Sequence, residues 1–562
     1  MPAEAAAALR ELVRLRLEFG PAAALRKRAL LARLERARLK TARDVLQLHE
    51  ALCFMRAYPD DRELLTRTER MLARFERRAD LRRHRAALAD SGIAGTAIHY
   101  RFFASTAHWL ARHWPGRLTL DWKPFEHEAL LEALLPLLAS DAESPALDEY
   151  DDTPRAWLRR MKGPKESEAA FLIRRLGARL GDRFVYEKLY DYLDLPVTLA
   201  PGADTPSRTH AKRARARVVF RRHAFATRRP DLATELLRPP RSVKPVSPRE
   251  GQRWIDQALA AMVTRSRDLD IFTYGDPRDV RLVDCGDGLE FVCIGGRPER
   301  RLMFEAVYGF LTLKNGVPVG YVLTSALFGS SEIAYNVFET YRGAEAAPIY
   351  SRVLAMTRHL FGTDTFTVYP YQLGDGNDEG LRSGAWWFYR KLGFEPRDPG
   401  ARRLMRSELA RMRRRPAHRS SRATLARLAR HNVYFSHGAA RPDVIGELPL
   451  ARLGLAAMQM MARRFGADRE RGETLCAREA MVRLGMESLS GWSMDEKRAW
   501  ARWAPLVTLL PGLERWSAGE RHAAADVIRA KGSRRESDFV WRFDAHQKLR
   551  EALAKLARST RE

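Results

Sequence analysis

The dipeptide Asn315-Gly316 sits between two apolar, β-branched runs, AVYGFLTLK and VPVGYVLTSALFG. A two-residue connection between strands needs positive φ at both positions, and Asn and Gly accept it at least cost. The chain therefore folds back on itself here as an antiparallel hairpin. The surrounding texture agrees. VRLVDCGDGLEFVCIGG carries strand-forming residues around a glycine turn, and SEIAYNVFETYRG reads as a further strand. AAPIYSRVLAMTRHLFG then sets Ile349, Tyr350, Val353, Leu354, Met356 and Leu360 at helical core spacing. TFTVYPYQL reads as a strand, GDGNDEG as a loop, and SGAWWFYRKLGFEPRD as an aromatic helix that stops at Gly393. Upstream, Ser247, Pro248 and Glu250 form a helix-start pattern. The order helix, antiparallel strands, helix, strand, helix implies an α+β layer with a mixed sheet.

At 562 residues the chain is too long for one core. Residues 1–196 read as helices, DVLQLHEALCFMRAYPDD among them. Residues 197–246 form a basic, Pro-containing linker that ends in RPPRSVKPVSP. The strand-rich domain takes 247–440, with NVYFSHG as its last strand. Residues 441–562 return to helices, with capping boxes at Ser493/Glu496 and Ser517/Glu520.

Charge is unevenly spread. The chain carries +28, yet residues 268–396 hold 12 Lys and Arg against 17 Asp and Glu, so the whole excess lies in the flanks. Residues 397–430 alone hold twelve arginines and two acids. Such flanks call for an anionic partner, whether nucleic acid, an acidic membrane surface or an acidic protein; nucleic acid would be held non-specifically through its phosphates, and a solvated arginine-rich helical surface is the competing explanation. The four cysteines, Cys53, Cys285, Cys293 and Cys476, form no CxxC and read as reduced, buried thiols. Arg10, Glu11, Arg14 and Arg16 interrupt the first helix, so it reads as amphipathic and not as a signal peptide. ALLEALLPLLAS is too short to span a bilayer, so no membrane span is expected and a cytoplasmic location follows. The sequence holds no GxxxxGK[ST], no G-x-S-x-G, no HExxH and no paired Cys/His set. These absences argue against a P-loop NTPase, an α/β-hydrolase and a zinc site.

From about 300 to 396 the hairpin, NVFETYRGAEAA, the following helix, TFTVYPY and AWWFYRKLGFEP come in a distinctive order and spacing. The stretch resembles the GNAT superfamily of acyl-CoA N-acyltransferases, with a core at about 268–440. The flanking helical regions resemble no family. The resemblance implies a GNAT-like acyltransferase domain at 247–440 that moves an acyl group from acetyl-CoA or another acyl-CoA, bound as substrate, to an amine. It implies a phosphate loop at Arg342, Gly343, Ala344, Glu345, Ala346 and Ala347. There Arg342 and Ala347 match the family pattern, while Glu345 stands where glycine is usual. It implies that the strand carrying Val337 splays from its neighbour and pairs with the pantetheine arm. Tyr389 falls where many members protonate the leaving thiolate; Arg382 stands where an asparagine is common. Glu332 and Glu339, with Asp375, Asp378 and Glu379 nearby, are candidate bases for the amine, while family members often deprotonate it through water, so a dedicated base need not exist.

Two other classes of function stay open. One is a non-catalytic GNAT-like protein that binds nucleic acid or an anionic surface. The other is a transferase of the same fold that takes its acyl group from aminoacyl-tRNA. For Tyr389 itself, the alternative to a catalytic hydroxyl is a buried ring whose hydroxyl meets a structural partner.

Overall fold

The computed structural model describes residues 2–180, 183–226 and 228–560. The chain divides into two compact units. The first comprises Met1–Phe225, Arg253–Tyr274 and Lys314–Val319; the second comprises Ala226–Gln252, Gly275–Leu313 and Gly320–Glu562.

In the first unit, polar side chains start the helices. Thr41 accepts from the Asp44 N–H at the head of Ala42–Ala57, and Asp61 accepts from the Leu64 N–H at the head of Arg62–Ala73. Leu48, Leu52, Leu64 and Leu72 are buried between these helices. Three short strands interrupt the helices: β1 (Ile98–Tyr100), β2 (Leu118–Leu120) and β3 (Val197–Leu199), in the order β1-β3-β2. At three residues each they are too short for a period of two to emerge in the sequence, which read as helical over β1 and β2 and as linker over β3. Part of the basic segment that follows is tied down by side chains. Arg56 donates to the Thr209 carbonyl at 2.6 Å and the Arg208 carbonyl at 3.0 Å, and His49 Nε2 lies 2.9 Å from Thr209 Oγ1. Buried backbone carbonyls need such partners.

The second unit is built on a nine-stranded mixed sheet. Its strands are β4 (Ser242–Pro245), β5 (Gly275–Gly286), β6 (Leu289–Gly296), β7 (Ala306–Lys314), β8 (Val317–Leu327), β9 (Ser330–Val337), β10 (Thr365–Val368), β11 (Glu395–Pro396) and β12 (Val433–Ser436). They lie in the order β11-β12-β10-β9-β8-β7-β6-β5-β4. Asn315 and Gly316 have φ of +50° and +77°, the left-handed pair that the β7–β8 turn requires. β8 and β9 run antiparallel, whereas β10 joins β9 in parallel. That parallel return needs a crossover, and the Ala346–Phe361 helix supplies it. NVYFSHG is a strand as expected, and β12 inserts between β10 and β11.

Ile349, Tyr350, Val353, Leu354, Met356 and Leu360 of the crossover helix are all buried against the sheet core. Each large apolar side chain buried in this way contributes roughly 1.5–3 kcal/mol. The C-terminal helices share the same core, through Trp503, Phe539 and Phe543 among others. Both expected capping boxes, Ser493/Glu496 and Ser517/Glu520, are formed. Three details differ from the sequence reading. The end of the expected linker is not free chain: Leu232–Glu235 is a helical turn, and Ser242–Pro245 pairs with β5 as the edge strand β4. β10 ends at Val368 because Pro370 opens a short helix, Pro370–Leu373. GDGNDEG is only partly loop, since Asn377 accepts from the Gly380 N–H and starts a helix over Asp378–Ser383. All four cysteines are free and buried. No described helix is long and apolar enough to cross a membrane.

Candidate functional site

The site grows from the way β9 parts from β10. The two strands pair only through Ser330, Ser331 and Glu332. Beyond Glu332, β9 keeps its β8 partners as far as Val337, which faces Gly320. On its other side residues 333–337 have no strand partner among the described residues. A gap lined by unpaired backbone therefore opens in the middle of the sheet. The short β10 leaves it, ending at Val368 before the Pro370–Leu373 helix.

Successive residues of β9 point to opposite faces. Tyr335 packs on the crossover-helix side, with its ring centroid 5.3 Å from that of Tyr350. Its hydroxyl donates to the Ala346 carbonyl at 3.4 Å and ties the end of β9 to the helix start. Tyr389, on the Ala385–Lys391 helix, joins the same aromatic group, 5.5 Å from Tyr350 and 5.9 Å from Phe394. Tyr389 is 4% exposed, and among the described residues no hydrogen bond reaches its hydroxyl. Burial pushes its pKa above the usual tyrosine value, so the phenol keeps its proton at neutral pH. Burial also raises Tyr335, helped by the proximity of Tyr389 and the Glu345 charge. Tyr335, Tyr350, Tyr389 and Glu345 thus meet at the head of the crossover helix.

Glu332 faces the opposite side of the sheet, paired across with Ser325. Burial, with the nearby Glu305 carboxylate as a second cause, pushes its pKa up to about 7. Burial raises Glu305 too, partly offset by Lys531. Tyr369, just after β10, is raised first by burial and then by both carboxylates. Glu339 is placed quite differently. It lies exposed on a single turn, Glu339–Tyr341, past the end of β9. The open stretch of strand between residues 332 and 337, roughly 17 Å long, separates the two candidate bases.

The chain then turns through Arg342 and Gly343. Gly343 has φ +85°, which a side chain would strain, and a Cβ built there meets nothing within 4 Å. Ala344 and Glu345 bend into the crossover helix, whose first turn carries Ala346 and Ala347. Glu345 occupies the N-cap position, but its side chain makes no cap bond. The N–H groups of Ala346 and Ala347 therefore start this helix, three and four residues past Gly343, without a side-chain cap, and Pro348 in the next position has none. Arg342 donates to the Val337 carbonyl at 3.3 Å and pairs with Glu379 of the Asp378–Ser383 helix.

The structure thus gathers Tyr389, Val337, Arg342, Gly343, Ala344, Glu345, Ala346 and Ala347 on one side and at one end of the gap, places Glu332 on the other side, and sets Glu339 apart. Sequence reasoning missed Tyr335, Glu305 and Tyr369. The period-two pattern of β9 held the signal for Tyr335; Glu305, just before β7, comes near Glu332 only in the folded chain, which leaves no local trace. No group of three or more metal-ligating side chains occurs among the described residues. Compared with known proteins, the chain matches no family model, no curated protein and no solved structure.

Proposed function

We propose that the second unit is a GNAT-like acyl-CoA N-acyltransferase, which moves an acyl group from acyl-CoA to an amine. The observation that carries this reading is the gap between β9 and β10, where residues Ile333 to Val337 have no strand partner on the β10 side, with a helix N-terminus at its end. In this reading the pantetheine amides pair with β9, and the pyrophosphate meets the N–H groups at Ala344–Ala347 and the Arg342 guanidinium. The amine nitrogen attacks the thioester carbonyl, a C–N bond forms, and the C–S bond breaks. The amine proton passes to Glu332, whose pKa of about 7 leaves much of it ionised at neutral pH. Tyr389 donates its proton to the departing thiolate and regains one from solvent.

One feature favours a second reading. Glu345 places a carboxylate at the helix N-terminus where the pyrophosphate would lie. This suits a GNAT-like module that binds nucleic acid or an anionic surface without an acyl-CoA. Calorimetric titration with acetyl-CoA and longer acyl-CoAs separates the two. Binding heat together with a rise in Tm is the expected result. No heat and no thermal shift with any of them overturns the acyltransferase reading.

A further inference from the structure

The arginine-rich stretch after the candidate site is folded and anchored. It forms two helices, Pro399–Arg414 and Arg422–Ala429. Its two acids are both consumed internally. Asp398 accepts from the Ala401 N–H at 2.7 Å and caps the first helix. Glu408 is buried and accepts from Ser420 Oγ at 2.6 Å and Arg411 at 3.0 Å, with His418 Nε2 at 3.0 Å. Trp387, two residues before Tyr389, donates its indole N–H to the same Ser420 at 3.1 Å. Arg422 pairs with Asp378. The segment is thereby fixed beside the helices that carry Tyr389 and Glu379.

Its arginines face outward. Among the described residues Arg406, Arg413, Arg414, Arg415, Arg427 and Arg430 are exposed and enter no ion pair. On the first helix Arg402, Arg406 and Arg413 return to nearly the same azimuth and span about 16 Å along the axis. Arg403 and Arg414 form a neighbouring stripe. The cationic field extends to exposed Lys391, whose ammonium pKa is lowered by desolvation and by Arg229 and Arg419. Guanidiniums crowded with no counter-charge await an external polyanion.

We propose that this 399–430 surface docks double-stranded DNA through its phosphodiester backbone. A duplex presents a charge every ~1.7 Å, so several phosphates fall within the length of the arginine stripe. Single strands are a poorer fit, because residues 399–430 contain no Phe, Tyr or Trp to stack on bases. A regular helix with arginines on two edges of its open face suits the wide major groove of B-form DNA; the narrow major groove of an RNA duplex excludes it. The inference stands whether or not the neighbouring site transfers acyl groups.

The test is fluorescence anisotropy of the full chain with a labelled DNA duplex, titrated from low to physiological salt. The triple variant R406Q/R413Q/R414Q is measured beside it. These three side chains make no ion pair in the fold, so Tm should stay unchanged. Three lost phosphate contacts should reduce the slope of log K against log salt by about 2.7. No binding at low salt overturns the proposal, as does an unchanged slope in the triple variant. Tighter binding to an RNA duplex, to a single strand or to anionic phospholipid vesicles overturns it equally.

Discussion

The ring of Tyr389 stands edge-on to that of Tyr350, their centroids 5.5 Å apart at 71°. The two hydroxyls have different surroundings. Tyr350 is fully buried, and its hydroxyl has no hydrogen-bond partner among the described residues. The Tyr389 hydroxyl also lacks a partner but is not fully sealed from solvent. A buried phenol with no bond costs stability, and evolution retains one where the group has a task or the ring shape is needed.

This contrast gives the first prediction. Tyr389→Phe removes one oxygen and no intramolecular hydrogen bond, so Tm should move little. If the hydroxyl protonates the thiolate, turnover of acetyl-CoA, read as free thiol released, should fall ~10²–10⁴-fold with acyl-CoA affinity retained. Tyr350→Phe should leave turnover intact and stabilise the protein by about 1 kcal/mol, because it deletes an unsatisfied buried group. Loss of stability in Tyr389→Phe, with turnover kept, would assign the hydroxyl a structural role.

Glu332 makes the pH dependence specific. Its carboxyl titrates at about 7 in the folded chain against an ordinary value of 4.5. The folded state therefore binds this proton more tightly than the unfolded state does. Its contribution to stability is full below about pH 4.5 and is lost as pH rises through about 7. A base acts when ionised, so kcat/KM should rise through pH 7 and level off above it. Glu332→Gln should abolish that limb and lower turnover ~10²–10⁴-fold. It should also be more stable than the parent at pH 8, measured by denaturant midpoint. An unchanged pH profile in Glu332→Gln would remove it as the base.

Much of the second unit was legible in the sequence, for identifiable reasons. Asn315-Gly316 admits one turn geometry, and Ser247-Pro248 and Ser493-x-x-Glu496 are local signals read by local bonds. The crossover helix showed because its apolar positions recur at helical spacing. What escaped notice depends on long-range pairing. The splay of β9 was expected only from the resemblance; the residues of β9 and β10 themselves do not mark Glu332 as the last paired position, because where pairing ends is set by how the short β10, stopped before Pro370, lies beside β9. Glu305 comes near Glu332, 27 positions away in the chain, only once the chain is folded. The C-terminal helices read as a separate flank, yet Arg301 holds the carbonyls of Lys531 and Ser533 at 2.8 and 2.6 Å, binding them to the sheet core.

The two acids near the anion opening should oppose acyl-CoA. Arg342 spends its charge on Glu379, and Glu345 places a carboxylate at the helix N-terminus. Glu345→Gly should tighten acyl-CoA binding by about 1 kcal/mol, or roughly fivefold, by removing like charge from the helix end. Glu379→Gln should tighten it by releasing Arg342. Calorimetry reads both. Weaker binding in Glu345→Gly would mean that its carboxylate contributes to the site through a bond to the ligand.

Lys531 and Glu536 supply a separate test of how the C-terminal helices are held. Lys531 Nζ lies 2.5 Å from Glu536 Oε1 with both side chains buried, and the Arg301 guanidinium lies 3.9 Å from the other oxygen. Burial lowers the Lys531 pKa, and the Glu536 charge works against that shift. Such a pair adds little net stability over an apolar one, because both charges lose their hydration. Removing one partner is different, since it strands the other. Lys531→Met should cost about 3–5 kcal/mol, seen as a lower denaturant midpoint. Lys531→Met combined with Glu536→Leu should recover most of that loss, because no anion is left unpaired. Arg301 keeps its bonds to the Gly296, Lys531 and Ser533 carbonyls in the double variant, so its own charge remains solvated by the backbone. If the double variant is as unstable as the single one, the ion pair itself, and not the stranded carboxylate, holds the C-terminal helices to the sheet.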